Sequence, residues 1–118
     1  MQLYDYCKIM AEKTSEMTAD EIQEKMDTIV RKYYIETRKT NKYLMLLNRE
    51  NADYTLFHCK GQYAYPTMDK FLIELSECLI NRGAIKSIDL TEDKDAIMIW
   101  INDKVYYLFG YDAGVIEI

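Results

Sequence analysis

The stretch Ala96-Ile-Met-Ile-Trp-Ile-Asn-Asp-Lys-Val-Tyr-Tyr-Leu-Phe109 reads as two strands folded about Asn102-Asp103, and it is apolar on both faces. Alternation puts Met98, Trp100, Val105, Tyr107 and Phe109 on one side and Ile97, Ile99, Tyr106 and Leu108 on the other. A single layer of helices hides only one of these faces. The second must pack on more of this chain or be met by a partner.

The rest of the chain supplies the first cover. Leu3, Tyr6, Cys7 and Met10 recur at helical spacing and predict a short first helix that frays by Ser15. Thr18-Ala-Asp-Glu21 matches a capping box, and Ile22, Met26, Ile29, Val30, Tyr33 and Tyr34 then follow one buried stripe. Acids in the first turn (Asp20, Glu21) and bases at the end (Arg38, Lys39) complement the helix dipole. Tyr43–Leu47 and Tyr54–Cys59 predict a first hairpin. Gly61 to Pro66 is a connector, Thr67 a cap, and Phe71, Leu72, Leu75 and Leu79 the stripe of a third helix ending at Arg82-Gly83. Ala84–Leu90 is the next strand, and Val115–Ile118 would extend the sheet. The order α-α-β-β-α-β-β-β with short connections gives an α+β class: three helices and a mainly antiparallel five-stranded sheet. At 118 residues this is a single domain spanning 1–118, large enough for one core without staples.

Charge is distributed unevenly. Residues 1–30 hold seven acids and three bases, 31–42 five bases and one acid, and 84–118 seven acids and three bases, within a total of −5. This is an acidic body with a basic collar at Arg31, Arg38, Lys39 and Lys42. Direct nucleic-acid binding is disfavoured, because phosphates need a cationic face; the collar reads first as a helix end and second as a local contact to RNA or to an acidic protein. Eleven tyrosines against three phenylalanines and one tryptophan suit half-exposed sheets and contact surfaces.

Chemistry finds little to work with. His58 is the only histidine, and as a strand neighbour of Cys59 it points the other way. The three cysteines, Cys7, Cys59 and Cys78, sit in apolar contexts and read as reduced core thiols. No metal-ligand spacing, glycine-rich phosphate loop or nucleophile elbow is present, so no enzyme, metal or cofactor is expected. No run reaches the ~18 apolar residues of a membrane span and the start lacks a leader pattern, which predicts a cytoplasmic protein. Glu92, Asp93 and Asp95 in an acidic turn, with Asp103, Tyr106, Tyr107 and Asp112, are the candidate partner-binding residues.

In size, acidity and passages such as Leu47-Asn-Arg-Glu-Asn-Ala-Asp-Tyr-Thr-Leu-Phe57 and Tyr111-Asp-Ala-Gly-Val-Ile-Glu-Ile118, the chain resembles the small acidic α+β proteins of phages and mobile elements of Gram-positive bacteria, anti-CRISPR and other anti-defence inhibitors among them. The resemblance carries no site residue with it. It implies stoichiometric binding to a larger host protein, such as a nucleic-acid-handling effector, in the host cytoplasm. An immunity protein or antitoxin, or a module that pairs with itself through the spare sheet face, are the alternatives.

Overall fold

The computed structural model describes residues 2–59 and 68–112, so the connector at 61–66, the cap at Thr67 and the strand expected at 115–118 lie outside the described residues. Helix α1 (Leu3–Glu12) is followed by α2 (Ala19–Lys25), which runs through a π-helical turn (Met26–Val30) into α3 (Arg31–Thr37). Strands β1 (Tyr43–Asn48) and β2 (Asp53–His58) form the first hairpin, α4 (Met68–Ile80) follows, and β3 (Ile85–Leu90), β4 (Ile97–Ile101) and β5 (Lys104–Tyr111) complete a sheet ordered β2-β1-β5-β4-β3. Every pairing is antiparallel. The α+β order expected from the sequence is the one observed, with α2, the π turn and α3 forming one rod.

Local chemistry sets the joints. Thr18 and Glu21 form the capping box, with Oγ1 of Thr18 accepting the Glu21 N–H at 3.2 Å and the Glu21 carboxylate accepting the Thr18 N–H at 3.3 Å. Asn48 is almost fully buried, and its side-chain oxygen accepts the N–H groups of Glu50 and Asn51, which closes the β1–β2 turn. Gly83, at φ +130°, makes the exit from α4 in a conformation that a side chain would resist. Ser15 donates to the carbonyl of Ile85 and fastens the α1–α2 corner to the edge strand.

The π turn solves a phase problem. Ile22, Met26, Val30 and Tyr34 are four residues apart and all buried. In a plain α-helix each step of four overshoots a turn by about 40°, so Tyr34 would have drifted roughly 120° from Ile22. The wider turn, in which the Arg31 N–H reaches the Met26 carbonyl five residues back, takes up that drift. All four side chains therefore stay on the core.

The core lies between the helices and one face of the sheet. Leu44 and Leu46 of β1, Phe57 of β2, Ile85 and Ile88 of β3, Ile97, Ile99 and Ile101 of β4, and Tyr106 and Leu108 of β5 point into it. Phe71 of α4 is its keystone: its ring stacks on Tyr34 at 4.3 Å between centroids and meets Phe57 edge-on at 5.5 Å. The Tyr34 hydroxyl is buried without a hydrogen-bond partner among the described residues. An unsatisfied buried hydroxyl costs stability, so Tyr34→Phe should gain about 1 kcal/mol, readable as a rise of about 3–5 °C in Tm by calorimetry. A fall in Tm would show that the hydroxyl is satisfied in solution.

Candidate interaction face

Alternation along the strands leaves the opposite face of the sheet to Tyr43, Met45 and Leu47 of β1, Tyr54, Leu56 and His58 of β2, Met98 and Trp100 of β4, and Val105, Tyr107, Phe109 and Tyr111 of β5. None of these belongs to the core cluster or packs against it. Among the described residues no helix lies on this face. Met45, at its centre, is 5% exposed, whereas Trp100 is 38% exposed. The four strands that supply these side chains, at ~4.8 Å spacing and about six residues of ~3.3 Å rise, give the face roughly 400 Å² in plan. Apolar patches of that size on monomers are commonly functional.

Two loops border the face. From the end of β1, Arg49 lays its guanidinium over the Tyr107 ring at 4.4 Å. Across β5, the β3–β4 loop brings Glu92, Asp93 and Asp95 beside Tyr107 and Phe109, and the group lines a concavity of about 600 Å³. Asp95 accepts a hydrogen bond from the Thr91 hydroxyl at 2.7 Å and its carbonyl accepts one from Tyr33, which fixes the loop to α3. Glu92 and Asp93 have no ion-pair or hydrogen-bond partner among the described residues and are exposed. Of the expected partner-binding residues, Glu92, Asp93, Asp95 and Tyr107 thus come together.

The others do not join them. Tyr106 is 4% exposed and faces the core, where its hydroxyl donates to Asp53 at 3.4 Å, so it is no surface contact. Its neighbour Tyr107 points outward, and successive strand residues cannot share a face. Asp103 sits in the β4–β5 turn, at the far end of β4 from the acidic loop. Asp112 accepts the backbone N–H of Lys42 and so fastens the end of β5 to the start of β1.

The basic collar is largely occupied with its own fold. Arg31 bonds Asp69 at 2.5 Å and Asp27 at 3.4 Å, Lys39 pairs with Glu36, and Lys42 lies over the Tyr43 ring at 5.7 Å. Arg38 is exposed beyond the end of α3. Arg82, read from the sequence only as the cationic end of the third helix, has a further role. It binds both oxygens of Asp53 at 3.2 Å, the Cys78 carbonyl at 2.6 Å and the Cys78 sulfur at 3.0 Å, locking α4 to the β2 edge. Cys78 is partly buried, packed against the core with Arg82 and Thr55 at its sulfur, while Cys7 and Cys59 are buried as expected. The partners of Arg49 and Arg82 carried no sequence signal, because they lie 58 and 29 residues away.

His58 shares the outer face with Tyr43, edge to ring at 5.0 Å, and Cys59 turns into the core. Among the described residues no three His, Cys, Asp or Glu side chains gather in a way that could hold a metal ion, and no helix is long and apolar enough to cross a membrane. Comparison with protein-family models, curated proteins and solved structures gives no match for the chain.

Proposed function

We propose that this chain is a non-catalytic binding protein that seats the outer face of its sheet on a larger partner and works by covering that partner's surface. The observation that carries the reading is the apolar and aromatic outer face of the sheet, with Met45, Tyr107 and Phe109 across its middle and Trp100 exposed towards the β4–β5 turn, on which no described helix lies. With the acidic loop on its margin, the face supplies the central part of the ~800 Å² that each side of a stable complex contributes. Aromatic anchors supply the energy of such contacts, and carboxylates at the rim steer and select a basic surface. A basic surface is what a nucleic-acid-handling protein presents, and the likeness in style to phage-borne anti-defence inhibitors supports a host effector of that kind as the target.

The test uses the immobilised 118-residue chain with candidate bacterial nuclease effectors, after nuclease treatment. One effector is expected to bind at 1:1 and to lose activity. Trp100→Glu should weaken that complex about thirtyfold, as removal of an exposed aromatic anchor does, and Glu92→Lys/Asp93→Lys should slow association with little change in Tm. Full inhibition by both folded variants would sink the proposal.

A second reading has one observation in its favour. Arg49 and the acidic loop flank Tyr107 and Phe109 from opposite sides of β5, so a twofold axis through the face would set each copy's arginine against the other's carboxylates. A doubled mass in sedimentation equilibrium, lost in Trp100→Glu, would favour self-pairing over the inhibitor reading.

A further inference from the structure

On the helix side of the β3–β4 loop, the helical rod and the end of β3 border a groove of about 410 Å³. Its floor is Ile29 from the π turn, Tyr33 from α3 and Leu90 from the edge strand, and Leu90 is 37% exposed there. Lys32 stands on the helix wall and Lys94 on the loop wall. Both are exposed, and neither has a carboxylate partner among the described residues. Glu36, the one acid on the lining, is paired with Lys39 at 3.3 Å.

The geometry points to a binding site for a small amphipathic carboxylate, its apolar tail along Ile29, Tyr33 and Leu90 and its head bridging the ammonium groups of Lys32 and Lys94. Three features select this occupant. The volume falls in the range of about 300–1,000 Å³ typical of small-ligand pockets. An apolar floor favours a hydrocarbon tail in proportion to the area it covers. Two cations on the lining, from different elements and without carboxylate partners among the described residues, against one acid that is already paired, make this a locally cationic site that favours an anion over a cation. The loop wall is held in place, since the Tyr33 hydroxyl donates to the Asp95 carbonyl at 2.7 Å and the Lys94 N–H to the Thr91 carbonyl at 2.9 Å. Lys94 itself takes φ +59°, a conformation rare for a side-chain-bearing residue.

The experiment is a titration of the isotope-labelled 118-residue chain, followed by amide NMR shifts, with hexanoate, octanoate and decanoate below micelle formation, and with octylammonium as the opposite charge on the same tail. Saturable shifts are expected at Ile29, Lys32, Tyr33, Leu90 and Lys94, with Kd tightening about two- to fourfold per methylene. Octylammonium should bind at least about fivefold more weakly than octanoate, and Lys32→Gln/Lys94→Gln should remove that difference, as the loss of two exposed ion pairs would. Absence of saturable shifts overturns the assignment. So does equal binding of octanoate and octylammonium to the unaltered chain, or a response centred on Tyr107 and Phe109. Because the readout is at the groove, failure here leaves the outer-face proposal standing, and the reverse also holds.

Discussion

Phe71→Ala should destabilise the fold by about 3–5 kcal/mol, the cost of emptying a fully buried aromatic site. The position earns the upper part of that range because one ring joins three elements: α4 carries it, Tyr34 of α3 stacks on it, and Phe57 of β2 meets it in a T-shaped contact. Removing it leaves both neighbours facing a void, and the stacking term of about 0.5–1.5 kcal/mol is lost with the area. Urea unfolding followed by far-UV circular dichroism gives the value directly. A loss under 1.5 kcal/mol would mean that α4 resettles on the sheet without its keystone. Phe71→Leu, which keeps most of the volume, should cost less than half as much.

Alkaline pH should be the second large lever. Burial, with a smaller contribution from the carboxylate of Asp27, pushes the Cys7 thiol up to about 12 from an ordinary value of 9.0. The folded chain therefore keeps a proton that the unfolded chain has released once the pH passes 9. Unfolding then releases a proton, so stability is intact below pH 9 and falls between 9 and 12 by up to about 1.4 kcal/mol per pH unit from this group. Burial raises Tyr33 and Tyr34 as well, which adds to the decline in the same direction at higher pH. Urea midpoints at pH 8, 9.5 and 10.5 measure the slope. Cys7→Ala should be less stable at pH 8, through the space it leaves, yet lose less on going to pH 10.5. An identical slope in that variant would assign the decline to the tyrosines.

The order of elements could be read from the sequence because each announces itself locally: the capping box at Thr18, the spacing of Phe71, Leu72, Leu75 and Leu79, and the alternation from Ile97 to Phe109. Which face of the hairpin turns inward could not. Both are apolar, so alternation separates Tyr106 from Tyr107 without saying which is buried, and the tie is broken only by contact with the helices. Asp103 could have been set apart from Glu92 and Asp93 at the outset, since a hairpin places its turn and its entry at opposite ends of one strand. The partners that occupy the collar were out of reach. Asp69 lies 38 residues from Arg31, and nothing between them marks the pairing. The π turn hid for another reason: a ladder of four-residue steps looks like an ordinary stripe until its drift is added up.

That turn also tells how the rod would answer a change in chain length. With one exposed residue of the turn removed, Thr28 for instance, the buried positions would fall at intervals of four, three and four. That is the spacing a regular α-helix keeps on one face. The same core could then be carried by a plain helix one residue shorter. The rod thus holds, within a single turn, the imprint of one surplus residue accommodated without disturbing what lies on either side.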